Sequence, residues 1–386
     1  MANTLTNIIP QLLFQGLPTL REQAIMPRLS LNSFDANDNR DRGSTIDVPI
    51  PTAIAARDVT AAVTHATNQD TAADKVQVVL SQWKEASFHL SDKDTEEVMA
   101  GFVPMQAQEA VKAVANALDS YILGKYTGIY SYGGTGGTTP FATNLSAFRD
   151  ARKWLNKNLA PMTDRRVVLD ADAEANAVVL EQFLAADRRG DQGGIIEGQI
   201  GRKLGANWFL DQNIPTHTAG TWAITGVGYT EVKATGTIGT STLVIQGNSS
   251  TTTNGGNLVT GDVFSVDGYD YVITATASVA VGAQKTLSIT FSPVLQTTVA
   301  AAATVTIQGT HVVNLAFHRD AFAFASRPLS RSQMDGAANF MTFADPISGV
   351  AIRLEVSRQY KQWTWSYDIL YGAVLARASQ AARILG

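Results

Sequence analysis

The five histidines, His65, His89, His217, His311 and His318, have the most to offer chemistry at neutral pH. No two stand at the i, i+4 spacing that turns two imidazoles toward one metal, and no HExxH stretch occurs. His318-Arg319-Asp320 are adjacent, so their side chains are expected to diverge on any regular element, with His318 as a structural residue. No G-x-S-x-G elbow is present to carry a nucleophilic serine. The glycine-rich stretch Gly133-Gly134-Thr135-Gly136-Gly137 is followed by Thr138-Thr139, where a phosphate-cradling loop needs Lys and then Ser or Thr. Gly198 and Gly201 precede Arg202-Lys203, again the wrong order. Both stretches read as flexible surface loops.

Two acidic groups call for the same scrutiny. Asp262, Asp267 and Asp270 could gather a hard cation, but their spacing departs from the EF-hand pattern, which favours plain β-turns. Asp170, Asp172 and Glu174 suit the positive end of a helix better than a paired acid/base site. The absence of cysteine removes disulfides, thiolate nucleophiles and cysteine-ligated metals together. No catalytic, cofactor-binding or metal-ligating residue is assigned, and the chain is expected not to be an enzyme.

Composition narrows the classes further. The 386 residues are 45% hydrophobic and 17% charged, which suits large cores and not disorder. A formal charge of −4 argues against a protein that coats nucleic acid, since phosphate neutralisation needs clustered Lys and Arg. No apolar run is long enough to span a membrane. The first residues lack a basic start, and Pro10 interrupts their apolar stretch, so no signal peptide is expected.

The elements follow from periodicity. Residues 1–30 carry an apolar stripe that includes Leu12, Leu13 and Leu17, broken by Pro10 and Pro18 and followed by a polar loop from Asn32 to Ser44. Such an arm docks either on the chain's own core or on a neighbouring subunit. Its polar face has almost no Lys or Arg, which disfavours a membrane surface. Alternation at Ile46, Val48 and Ile50 and at Val76, Val78 and Leu80 predicts a long hairpin with a wide connection, with Trp83 and Phe88 beyond it. Ser91 with Asp94 caps a short helix, and Pro104 opens a long one to Lys125, roughly 30 Å at 1.5 Å per residue. A helix from Leu145 to Leu159, a strand from Arg165 to Leu169 and a helix capped by Asp170 complete an α+β stretch.

At about Ile214 the character changes. From there to His311 only Glu231, Lys233, Asp262, Asp267, Asp270 and Lys285 are charged, and Thr, Gly, Ser and Val dominate. Short alternating runs at Thr242–Ile245, Val263–Val266, Tyr269–Ile273, Thr286–Phe291 and Thr304–Ile307 predict a small β-barrel or sandwich inserted in the α+β chain. Strands Val350–Arg358 and Gln362–Leu370 follow.

The segment from Asn314 to Ala325, with Arg327-Pro328-Leu329, resembles a signature of major capsid (coat) proteins of short-tailed double-stranded DNA phages. Leu258 to Gly268 is similar to that family's Gly-Asp-x-Phe-x-x-x-Gly strand, and Thr286 to Pro293 to the last core strand of its β-rich insertion. The resemblance implies the Johnson fold of tailed-phage and herpesvirus capsid proteins, α+β with an inserted small β-barrel. It implies an N-arm at 1–44, an extended E-loop at 45–97, and a peripheral domain with its spine helix at 98–160. An axial domain would follow at 161–213, the inserted β-barrel or I-domain at 214–312, more axial domain at 313–345, and peripheral strands returning to the axial domain at 346–386. The matching two-fold hairpin, Gly228 to Ser241, is short, so the polar loop Gly247 to Asn257 is expected to serve instead.

The resemblance also implies a function. The chain would form pentamers and hexamers of an icosahedral virion shell, assembled in the host cytoplasm with a scaffolding protein and a portal. That shell would enclose double-stranded DNA without sequence-specific binding, cofactor or membrane. Leu12, Leu13, Leu17, Trp83 and Phe88 are the expected subunit-interface residues. The competing readings are a glycan-binding surface protein, with Trp222, Tyr229, Tyr269 and Tyr271 as stacking residues, and an enzyme whose titratable groups converge only in three dimensions.

Overall fold

The computed structural model describes residues 24–31, 45–50, 54, 56, 74–97, 102–184, 200–222, 229–247, 253–283, 285–327, 338–345 and 348–386. Leu12, Leu13 and Leu17 therefore lie outside the described residues. The chain divides into two units, one of residues 1–115 and 323–376, the other of residues 116–322 and 377–386.

The first unit is built on a five-stranded sheet. The strand Gln362–Leu375 pairs with Ala351–Gln359 along its first half, with Gln82–Ser91 from Gln362 to Tyr371, and with Phe322–Arg327. Ala338–Ala344 completes the sheet beside Ala351–Gln359. The predicted hairpin forms in register, Thr45–Ile50 against Asp74–Val79, with Val48 facing Val76. Its apolar face, Val48 and Val78 with Leu80, packs on Ala323 and Ala325. Gly372 is required there, because a Cβ would fall 2.1 Å from the carbonyl oxygen of Val79. The Ser91 hydroxyl and the Asp94 carboxylate form the expected reciprocal cap: Ser91 Oγ donates to Asp94 Oδ2 at 2.7 Å and accepts from Asp94 N at 3.1 Å.

The long helix spans Phe102–Leu123, and Gly124 opens a 3₁₀ turn that carries the chain on to Gly128. Pro104 sits in its first turn, where an amide hydrogen would have no helical partner. Val111, Val114, Leu118 and Ile122 are buried at helical spacing, as the periodicity requires.

The second unit holds two sheets. In the core sheet the order is Tyr132–Gly133, Ala381–Leu385, His311–His318, Arg165–Leu169, Ala206–Leu210, Arg202–Lys203, with Thr216–His217 paired to His311–His318. The helices Ser146–Lys157 and Ala171–Val179 bury Phe148, Ala151, Leu155, Ala173 and Ala177 against it. The Thr- and Gly-rich stretch supplies a six-stranded sheet in the order Val305–Ile307, Val263–Val266, Tyr269–Ala275, Thr286–Ser292, Thr242–Gln246, Glu231–Val232. Its two end strands meet again through a Glu231–Thr304 bridge. The inward residues, among them Ile245, Phe264, Ile273, Ile289 and Phe291, are the alternating apolar positions of the sequence.

Three expectations are corrected. The stretch Gly133 to Gly137 is not a loose surface loop: Tyr132–Gly133 forms a parallel pair with Ala381–Leu385. A Cβ on Gly133 would lie 2.2 Å from the carbonyl oxygen of Ala147, and one on Gly136 would lie 2.9 Å from that of Gly309. These glycines are present for close backbone approach. The loop from Gly247 to Asn257 becomes, from Thr253, a strand Thr253–Leu258 paired with Ala277–Ala283. Its polar composition shows no alternation, and its partner lies well along the chain. The His318 and Asp320 side chains do not diverge: across a 3₁₀ turn at Arg319–Ala321, His318 Nδ1 lies 3.8 Å from Asp320 Oδ2 and accepts from Asp320 N at 3.3 Å.

Gly133→Ala should destabilise the chain by about 1–3 kcal/mol, the usual cost of overpacking a filled site. Urea denaturation read by tryptophan fluorescence measures it, and an unchanged midpoint would contradict the close approach.

Candidate functional site

Two places in the structure gather polar side chains that fold alone does not explain. The first lies on the strand Gln82–Ser91. Trp83 keeps 62% of its surface exposed, while its indole Nε1 donates to Asp368 Oδ2 at 2.9 Å. Arg353 forks onto the same carboxylate from the next strand but one, and this hydrogen-bonded pairing raises the guanidinium pKa. Phe88 stacks on Trp365 with centroids 5.2 Å apart and planes at 13°. Of the two aromatic residues expected at an interface, Phe88 is thus half-spent on its own sheet, while Trp83 presents a ring face held at a fixed angle.

The second place joins the core sheet to the six-stranded sheet, within the second unit. Arg383 on Ala381–Leu385 has no exposed surface. Its Nη1 donates to the Gly261 carbonyl at 2.7 Å and its Nη2 to the Tyr126 carbonyl at 3.0 Å, and the guanidinium lies 5.0 Å from the centroid of the Tyr126 ring. Burial pushes its pKa down to about 9, against the opposing pull of Tyr126 and Asp262, so it remains a cation at neutral pH. The Asp262 carboxylate is equally buried and accepts from His217 Nε2 at 2.8 Å, from Val259 N at 2.7 Å and from Gly220 N. His217 Nδ1 faces the Tyr126 hydroxyl at 3.0 Å. His311 packs beside it with ring centroids 5.1 Å apart, Nδ1 on the Gly309 carbonyl at 2.7 Å. Burial lowers the His311 pKa to about 4, helped by the Arg383 charge, so the imidazole is neutral.

Next along the same joint, Asp270 is buried, and its Oδ2 accepts from Tyr132 N at 3.3 Å. Burial raises its pKa to about 7, although that hydrogen bond, Lys153 and Lys157 all favour the charged form. Tyr132 in turn meets Gln308 at 3.3 Å, and Gln308 Oε1 accepts from Gly136 N.

Asp262–His217–Tyr126 has the outline of a proton relay, but its chemistry points elsewhere. Burial pushes the Tyr126 hydroxyl pKa up, the wrong direction for a nucleophile. What the arrangement does is hold together chain segments that are far apart in sequence. The three aspartates expected in β-turns separate accordingly. Asp262 closes a turn from Val259, its N donating to the Val259 carbonyl at 3.1 Å. Asp267 lies in a hairpin turn, with φ 51° beside Gly268 at φ 77° and accepting from Thr297 Oγ1 at 3.1 Å. Asp270 stands on the strand Tyr269–Ala275. Among the described residues no group of three or more His, Asp or Glu could hold a metal ion. The glycan-stacking reading loses Tyr229 and Tyr271, which belong to the sheet's core, while Trp222 and Tyr269 are partly buried against it.

Reasoning from sequence missed Arg383, His217, Asp262 and Asp270 as a set. One signal was available: Arg383 is the sole charge within the apolar run Ala381-Ala382-Arg383-Ile384-Leu385, and a lone cation there needs an internal partner.

Comparison with solved structures places this architecture. A chain from Mycobacterium phage Che8 is similar over 94% of this chain and 90% of its own, at 14% identity and a TM-score of 0.51. A chain from the capsid of the cyanophage P-SCSP1u is similar over 93% of this chain and 87% of its own, at 12% identity and a TM-score of 0.51. The mixed α+β fold, mostly sheet, is therefore similar to that of a phage capsid chain. No protein-family model matches the sequence, and no curated protein matches it.

The Asp270 carboxyl binds its proton more tightly in the folded chain than in the unfolded one. Its contribution to stability is full below pH 3.8 and is lost as pH rises through about 7. Asp270→Asn should leave stability unchanged near pH 4 and raise it at pH 8, with urea midpoints at the two pH values as the readout. Equal midpoints for both chains at pH 8 would contradict the buried carboxylate.

Proposed function

We propose that this chain is the major capsid protein of a short-tailed double-stranded DNA phage, assembling through pentamers and hexamers into the icosahedral shell around the genome. The observation that carries the reading is the likeness of fold to the cyanophage capsid chain over nearly the whole length of both. On this reading residues 1–44 are the N-arm, 45–97 the E-loop, 98–160 the peripheral domain with the helix Phe102–Leu123 as its spine, and 161–213 and 313–345 the axial domain. Residues 214–312 are the inserted β-barrel, and 346–386 the peripheral strands with the return to the axial domain. The chain adopts the Johnson fold, is assembled in the host cytoplasm around a scaffolding protein, and joins a portal. No cofactor and no catalysis are involved.

The physics of the parts supports this. A shell subunit needs appendages that overlap neighbours, and the hairpin Thr45–Ile50/Asp74–Val79 is a two-stranded extension with open edges that another chain can cover. A net charge of −4 suits a container whose wall must not grip the DNA it admits. Among the described residues no helix is long and apolar enough to cross a membrane. On this reading Leu12, Leu13 and Leu17 dock the arm on an adjacent subunit, and the exposed Trp83 ring covers a neighbour beside Phe88.

Negative-stain microscopy of the purified chain, alone and with a scaffolding partner encoded nearby, tests the proposal. Closed shells or ring-shaped capsomers are the expected result, and dispersed monomers in both preparations would overturn it. Leu13→Asp should give soluble chain that no longer closes shells. Trp83→Ala should cut the yield of closed shells while leaving the melting temperature within a few degrees of the parent. Normal shells from both variants would remove these residues from the interface.

A further inference from the structure

One end of the core sheet carries features that the folded chain by itself leaves unanswered. Arg152 on the helix Ser146–Lys157 and Arg165 at the start of Arg165–Leu169 line one recess, floored by Phe148, Leu155 and Val167. Arg165 is buried, with Nε donating to the Pro161 carbonyl at 2.8 Å and Nη2 to the Ala160 carbonyl at 2.7 Å. No carboxylate pairs with Arg152 or Arg165 among the described residues. Both line the recess, so two like charges share its apolar floor, and burial, followed by the Arg152 charge, lowers the Arg165 pKa.

The chain segment bonded by Arg165 is bordered by exposed apolar residues. The backbone segment that Arg165 grips is flanked by Leu159, 88% exposed, and Met162, 67% exposed. Leu204, 45% exposed, lines the recess from the turn before Ala206–Leu210. Leu159, Asp164 and Leu204 all hold left-handed backbone conformations, at φ 55°, 50° and 53°. Glycine would take these positions at lower cost, and exposed leucines gain nothing there from the folded chain alone. Strain, exposed apolar surface and two cations with no carboxylate partner among the described residues thus coincide at one place.

A complementary surface exists on the same chain. The helix Ala171–Val179 begins at the other end of the strand Arg165–Leu169 and exposes Asp172, Ala175 and Val179 at helical spacing, Val179 at 72%. This stripe offers a carboxylate followed by small and apolar side chains.

We propose that the recess at Arg152 and Arg165 is a docking surface for a second copy of this chain, which seats the Asp172–Ala175–Val179 stripe on it. The match is of charge and of apolar area together. A phosphate chain would answer the cations but leave Leu159, Met162 and Leu204 bare. The contact is heterologous, one surface against a different surface of the next copy, and such contacts generate rings when the rotation closes. The proposal rests on the shell reading and names side chains that would join neighbours within one capsomer.

The natural absence of cysteine makes a clean test. Met162→Cys and Val179→Cys chains are mixed in equal amounts under assembly conditions and oxidised. The mixed disulfide dimer should exceed either homodimer several-fold. Adding Arg152→Glu to the first chain should reduce it several-fold, and adding Asp172→Arg to the second should restore it, a rescue that misfolding cannot produce. Shells without the mixed dimer, or a mixed dimer indifferent to both charge reversals, overturn this contact and leave the shell reading standing. Monomers without the dimer overturn both. The dimer in open rings that never close into shells supports the contact and counts against the shell.

Discussion

A guanidinium with no exposed surface has to be answered from inside the protein, and at Arg383 that requirement organises the second unit. Its partners are carbonyls of Tyr126, just past the long helix, and of Gly261, deep in the Thr-rich stretch. The Asp262 carboxylate next in sequence supplies the negative charge and binds His217, which stands at the entry to that stretch. His217 pairs in register with His311 at the exit. Entry, exit, interior and core sheet are thus fastened around one buried cation. Removing one member would strand the others without partners, which costs more than the pair contributes when intact.

The joint has opposing responses to acid. His311 is held neutral, so its contribution to stability is present above pH 6.5 and is lost as pH falls toward about 4. Asp270 acts in the other direction, losing its contribution as pH rises through about 7. Both groups lie where the two sheets of the second unit meet. The His311 range lies inside the Asp270 range and the two slopes have opposite sign, so they offset each other and the joint has no single sharp transition between about pH 4 and 6.5.

Periodicity made the regular elements legible, because burial on one face leaves its mark residue by residue. The strand Arg165–Leu169 and the Asp170 cap stand where the pattern put them, and the long helix differs by two residues at each end. The glycine stretch was misread because composition cannot say what backbone approaches a glycine, and at Gly133 it is the Ala147 carbonyl. The polar joint was invisible for a related reason: Tyr126, Asp262 and Arg383 are brought together only by topology. The arm leucines stand out in the sequence yet fall outside the described residues. Trp83 was expected at an interface as part of the extended loop, while its anchor, Asp368, gave no local sign.

The placement of Ala381–Leu385 also bears on synthesis. This strand lies inside the core sheet, between Tyr132–Gly133 and His311–His318. A growing chain that has already made the helices and the whole Thr-rich stretch still lacks an interior strand, and with it the Arg383 charge that Asp262 awaits. The second unit therefore cannot fold in the amino-terminus-first order open to many domains during translation. Its core sheet is complete only when residue 385 has left the ribosome, which sets a delay between the first half of the chain emerging and the closing of that sheet.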